Sequence, residues 1–231
     1  MQIEVLKDGD AVAARAAGII AEQARSAVAA RGRFLIAVSG GHTPWVMLRQ
    51  LASQQVPWEG MHVFQVDERI APAGDPDRNL THLRESLLSH APIDPSHIYA
   101  MPVEEADSEA AAAEYARTLQ KLAGAPPVID LVHLGLGPDG HTASLIPGDP
   151  VLQVMDRDVA ITGVYQGRNR MTLTYPVINR ARQILWVVTG EEEVKALSQL
   201  EKGDASIPGG RIRRENALVL ADEAAAGQRS G

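Results

Sequence analysis

The chain has 231 residues, 45% of them hydrophobic, which is enough to bury one substantial core and suits a single α/β domain spanning 1–231. A net charge of -7 argues against nucleic acid as a partner, while leaving room for a few Lys and Arg residues to hold one phosphate. There is no cysteine for a disulfide or thiolate site, no signal-like core in MQIEVLKDGD and no apolar run near the ~20 residues of a membrane span, so a cytoplasmic protein with no membrane partner is expected.

Strand-like and helix-like patterns alternate. A short strand near residues 3–6 precedes DAVAARAAGIIAEQARSAVAARG, whose pattern predicts a helix with Asp10 as N-cap and Gly32 as its stop. RFLIAVSGG reads as a buried strand running into a glycine turn, and residues 44–54 as a helix. MHVFQVDER is a second core strand, NLTHLRESLLSH a helix broken before Pro92, and DSEAAAAEYARTLQKLAG an alanine-rich helix from Asp107 to Gly124. PVIDLVHLGLG is a third core strand. Further strands are expected near 159–164, 170–174, 183–189 and 217–220, with a helix around 191–202. Continuous apolar strands separated by helices predict a Rossmann-like, doubly wound, mainly parallel sheet covered on both faces, with its ligand beyond the carboxyl ends of the strands.

The third core strand runs into GLGPDGHTASLIPG, where Gly135, Gly137 and Gly140 have the Gly-x-Gly-x-x-Gly spacing of a dinucleotide-binding turn. Such a turn must open a sustained helix whose first amides hold the pyrophosphate. Here Pro147, Gly148 and Pro150 leave at most about two helical turns, and Asp139 sets a carboxylate inside the turn. Both features argue against a dinucleotide. What the turn offers is Asp139 beside His141. An imidazole, with a reference pKa of about 6.5, exchanges protons near neutral pH, and a nearby carboxylate orients it. A loop histidine bonded only to backbone is the plainer reading, but a glycine loop after a core strand is where such a sheet builds its site, which favours a general base.

Two other strand ends carry chemistry. In AVSGGHTP, the amides of Gly40 and Gly41, the hydroxyls of Ser39 and Thr43 and a helix start at Pro44 suit one phosphate, unless the glycines merely make a strand-to-helix turn. VDER groups Asp67, Glu68 and Arg69; Arg69 suits an oxyanion or phosphate, and the alternative is a set of solvated charges at a strand exit.

SGGHTP (39–44), VDER (66–69) with Asn79, GLGPDGHTASLIPG (135–148), RMTLTYPVIN (170–179), TGEEEVKAL and LADEAA follow one another over nearly the whole chain. In these motifs and their order the chain resembles the glucosamine-6-phosphate isomerase/6-phosphogluconolactonase superfamily, on its lactonase side. The resemblance implies hydrolysis of 6-phospho-D-glucono-1,5-lactone to 6-phosphogluconate in the oxidative pentose phosphate pathway. It implies a small phosphosugar lactone as ligand, with no metal, no organic cofactor and no obligate protein partner. His141 would activate water and then protonate the leaving ring oxygen, and Asp139 would orient nearby groups. Ser39, Gly40, Gly41, Thr43, Asp67, Arg170 and Lys195 would bind the substrate or its phosphate, and Arg69 would bind substrate or stabilise developing negative charge. His42 stands where relatives carry Ser or Arg, and the Gly190-to-Lys195 spacing differs slightly from the family's.

Two alternatives are set by the same residues. A glucosamine-6-phosphate deaminase would carry an acid just before Pro-Gly, where this chain has Ile146. A non-catalytic sugar-phosphate sensor would add a DNA-binding module, for which the residues before the first core strand leave no room.

Overall fold

The computed structural model describes residues 1–227. In chain order the elements are β1 (Gln2–Leu6), α1 (Gly9–Arg31), β2 (Phe34–Val38), α2 (His42–Leu51), β3 (Met61–Gln65), β4 (Asp67–Arg69) and α3 (Asn79–Leu83). Next come β5 (Ile98–Tyr99), α4 (Ser108–Ala123), β6 (Leu131–Leu134), β7 (Val159–Ile161), β8 (Arg170–Leu173) and α5 (Tyr175–Arg180). The chain then forms β9 (Gln183–Val188), α6 (Val194–Lys202), β10 (Ala217–Asp222) and α7 (Glu223–Ala226). Seven strands pair in the order β1-β10-β9-β6-β2-β3-β5, every neighbour parallel. No helix among the described residues is long and apolar enough to cross a membrane.

The unbroken apolar runs of the central strands reflect burial on both faces. Phe34, Ile36 and Val38 of β2 pack with α1, α2 and α3, whereas Leu35 and Ala37 pack with α4, α5 and α6. β9 divides in the same way, Leu185 and Val187 to the first layer and Ile184, Trp186 and Val188 to the second. The period of two sends alternate side chains to opposite cores. α1 buries Ala13, Ala16, Ala17, Ala24 and Ala27, small residues that let the helix pack closely, together with the larger Ile20 in the same layer.

Four expectations are corrected. The N-cap of α1 is Asp8, whose carboxylate accepts from Ala11 N–H at 2.9 Å; Asp10 lies inside the first turn, because the helix starts at Gly9, two residues before the start that an Asp10 cap implies. MHVFQVDER is two strands rather than one. Val66 donates its N–H to Val38 in the parallel sheet (3.0 Å) and accepts at its carbonyl from Leu173 (2.8 Å), so the chain changes partner within one residue, without a turn residue to mark it. β4, β8 and β7 form a separate antiparallel sheet instead of extending the main one. The helix read over NLTHLRESLLSH is α3 continued by a wider π turn over Arg84–Leu88, where Ser89 N–H reaches back to the Arg84 carbonyl at 3.0 Å.

Candidate active site

From β2 the chain winds outward to β3 and β5, and from β6 it winds the opposite way to β9 and β10. The strand order therefore reverses between β2 and β6, and the loops leaving those strands part to open a crevice. A cavity of about 400 Å³ occupies it. Its walls come from the Ser39–Gly41 turn, the Gly135–His141 loop, Thr189 and Glu193 after β9, and the ends of β4 and β8.

The glycines of GLGPDGH serve an imidazole. A Cβ on Gly137 would lie 2.2 Å from His141 Cε1, so only glycine lets the ring fold back over that backbone. Gly140 turns the chain at φ 80°. Asp139 Oδ1 accepts both from the His141 backbone N–H (3.0 Å) and at ring Nδ1 (2.6 Å). With Nδ1 donating to the carboxylate, Nε2 keeps a free lone pair. Partial burial raises the Asp139 pKa, but the backbone and ring hydrogen bonds from His141 together outweigh it and hold the carboxyl below its ordinary value. The loop is pinned beyond the histidine as well: the Thr142 hydroxyl donates to the Gly135 carbonyl (2.8 Å) and the Ser144 hydroxyl to Asp67 Oδ2 (2.6 Å).

Opposite this loop stand two cations. Arg69 and Arg170 are directly paired in the antiparallel β4–β8 ladder. Like charges in that position cost stability, so the pair points to an anionic ligand. Arg170 is only 5% exposed; burial first, then Arg69, lowers its pKa, with Asp67 pulling the other way. Its guanidinium lies over the Tyr165 ring, 4.9 Å from the centroid. Arg69 donates to Asn79 Oδ1 at 2.6 Å, and Asn79 donates in turn to the Asp67 carbonyl at 3.0 Å. Burial raises the Asp67 pKa, against the Ser144 hydrogen bond and the two arginines.

The glycine turn completes the cavity. A Cβ on Gly40 would meet Asn79 Oδ1 at 2.1 Å, which excludes any side chain there. Gly41 precedes α2 without a capping side chain, leaving the first amides of the helix unclaimed by one. Thr43 and Thr189 share a hydroxyl hydrogen bond of 2.8 Å.

The entry to the turn is fixed by His133, fully buried on β6. Its Nδ1 accepts the Ser39 N–H (3.2 Å), the Ser39 hydroxyl donates to its carbonyl (3.0 Å), and its Nε2 has no hydrogen-bond partner among the described residues. Burial lowers the His133 pKa from 6.5 to about 4. Between those values the unfolded chain binds a proton that the folded one refuses. Stability therefore falls as pH falls through this window, by up to about 1.4 kcal/mol per pH unit. His62, lowered to about 4 by burial and then by His97 and Arg33, acts with the same sign. Thermal melts should show Tm dropping from pH 6.5 towards 4.5, and less steeply in His133→Leu; equal slopes would exclude His133 as a source of the acid sensitivity.

The structure thus gathers Ser39, Gly40, Gly41, Thr43, Asp67, Arg69, His141 and Arg170 around one cavity, with Asp139 attached through His141. His42 lines it too. Lys195 does not: it is exposed on the first turn of α6, and Glu193 of the preceding turn lines the cavity instead. Trp45, Thr189 and Glu193 are not among the expected site residues: Trp45 follows the SGGHTP motif, and within TGEEEVKAL the lysine had drawn the assignment. Glu68, grouped with its neighbours as a solvated charge, is fully buried.

The family described as glucosamine-6-phosphate isomerases/6-phosphogluconolactonase matches residues 7–220. A 6-phosphogluconolactonase from Nostoc sp. is 37% identical over 232 residues, covering 97% of this chain and 96% of its own. The crystal structure of 6-phosphogluconolactonase from Thermotoga maritima superposes with a TM-score of 0.85 at 27% identity, covering 96% of this chain and 98% of its own. A monomeric glucosamine-6-phosphate deaminase has the same fold, with a TM-score of 0.86 at 18% identity over 99% of this chain and 100% of its own, so backbone shape does not separate the two activities. On the match across its length and its identity to these relatives, the chain belongs to the glucosamine-6-phosphate isomerase/6-phosphogluconolactonase family.

Proposed function

We propose that the protein is a cytoplasmic 6-phosphogluconolactonase, hydrolysing 6-phospho-D-glucono-1,5-lactone to 6-phosphogluconate in the pentose phosphate pathway without an obligate protein partner. The observation that carries this reading is His141, oriented by Asp139 in the wall of a cavity that also holds a glycine turn and two arginines. The name of the 37% identical Nostoc relative agrees with it.

The amides of Gly40 and Gly41, the Thr43 hydroxyl and Arg170 hold the phosphate, which tethers the lactone with its carbonyl carbon near His141. Nε2 takes a proton from water as the water oxygen bonds to C1, and Arg69 stabilises the oxyanion that forms. Collapse breaks the bond between C1 and the ring oxygen, and His141 returns its proton to that oxygen. The product is the open-chain acid, which ionises to solvent. Positioning plus proton transfer, the latter typically about 10²–10⁴-fold, is sufficient for a lactone that already hydrolyses slowly in water.

The deaminase alternative lacks its acid: Ile146 is buried at 6% exposure, and no carboxylate occurs between His141 and Asp149. Purified protein should release acid from freshly generated lactone in the presence of a chelator and release no ammonia from glucosamine 6-phosphate. Ammonia release would replace this reading with the deaminase, and binding of 6-phosphogluconate without turnover would replace it with a sensor.

A further inference from the structure

The cavity wall holds one charged group for which a phosphate pocket has no obvious use. Glu193 ends the short turn Glu191–Glu193 after β9 and lines the same cavity as Gly40, Gly41 and Thr43. That turn is joined to the phosphate side through Thr189, hydrogen-bonded to Thr43, and Glu193 N–H donates to the Gly190 carbonyl at 3.3 Å. Gly190 has φ 105°, and a Cβ on it would come within 3.1 Å of Glu193 Oε2, so the backbone is shaped closely around this carboxylate. The cation expected here, Lys195, lies outside.

The charges facing Glu193 do not neutralise it locally. Glu191 and Glu192 share its turn, and Asp222, at the end of β10, accepts the Gly190 N–H at 3.1 Å. From the rest of the cavity come His42 on α2, Asp67 and Arg69 on β4, His141 on its loop and Arg170 on β8. Partial burial, then Glu192 and Asp222, raise the Glu193 pKa. A phosphate monoester is close to a dianion at neutral pH, with a second pKa near 6. Two anionic oxygen groups confined together are relieved when one proton is bound between them.

We propose that Glu193 is a specificity-determining residue that takes up one proton from solvent when a phosphate monoester enters the glycine turn, meeting it as a carboxylic-acid donor instead of a second anion. This rests on the reading that the turn holds the substrate phosphate. Affinity for phosphorylated ligands then falls as pH rises, and a cation at position 193 strengthens it.

The test is calorimetric titration of 6-phosphogluconate into wild type, Glu193→Gln and Glu193→Lys between about pH 7 and 8.5, above the ester's own ionisation, in two buffers of different ionisation heat. Wild type should take up about one proton more per ligand than Glu193→Gln, and its Kd should rise by up to about tenfold more per pH unit. Glu193→Lys should bind at least about tenfold more tightly than wild type at the upper pH. Equal proton counts and pH slopes in wild type and Glu193→Gln would overturn the proposal, as would weaker binding by Glu193→Lys. A parallel lactonase assay separates the failures: wild type that binds and hydrolyses but shows no Glu193-dependent proton leaves the phosphate site standing, whereas wild type that does not bind 6-phosphogluconate overturns both.

Discussion

Replacing His141 with alanine is expected to lower kcat by at least about two orders of magnitude while 6-phosphogluconate still binds, the low end for loss of a general base. The geometry separates the two effects. The ring reaches the cavity from the β6 loop, while the glycine turn and Arg170 come from β2 and β8, which have their own supports. The loop should survive truncation, because Asp139 also accepts the His141 backbone N–H and Thr142 and Ser144 anchor the following residues. Stopped-flow measurement of acid release gives kcat, and titration with product gives binding. Turnover within about tenfold of wild type would remove His141 from the role of base.

Asp139→Asn should fall between the two, losing at least about tenfold in kcat because the amide neither stabilises the imidazolium nor fixes the tautomer as firmly. Asp139 itself does not titrate in the working range. Its folded pKa lies below the ordinary 3.8, so whatever stability its hydrogen bonds contribute is present above that value and lost only as pH falls through the lower one. The Tm advantage of wild type over Asp139→Asn should therefore shrink as pH falls below about 4.

The sequence showed where β2 and β6 would end, because burial on both faces of the main sheet leaves apolar runs that glycine turns interrupt. Those two ends, after Val38 and Leu134, carry most of the site together with the end after Gln65, which no glycine marks. What stayed hidden was partner choice. Nothing in MHVFQVDER marks Val66 as the residue that leaves one sheet for another, since a strand written in apolar residues does not record which neighbour pairs with it. That hidden switch sets Arg69 opposite Arg170, a pairing between residues far apart in the chain. The turn after β9 was misjudged for a similar reason. Lys195 has the right chemistry for a phosphate, but the helix period carries it to the exposed side of α6 and leaves Glu193 at the wall.

Glu68→Ala is expected to cost on the order of 3–5 kcal/mol, because it unpairs a buried charge. Glu68 is 0% exposed and accepts from Gln65 Nε2 at 2.9 Å and from the backbone N–H groups of Arg69, Asn79 and Leu80, each at 2.8 Å. Arg78, itself 2% exposed, faces it at 3.4 Å and makes a second ion pair with Glu104. Truncation strands three backbone donors and half of a buried ion pair, and at this chain length Tm should drop by about 10 °C or more. The loss should extend to function. The same carboxylate ties β4 to the start of α3, which sets Asn79 against Arg69 and beneath Gly40. Glu68→Gln, which keeps the volume but turns one acceptor into a donor facing other donors, should retain more stability yet raise KM by loosening Arg69 and Asn79. A Glu68→Ala protein that melts within about 2 °C of wild type would show that this carboxylate does not hold the two sheets' ends together.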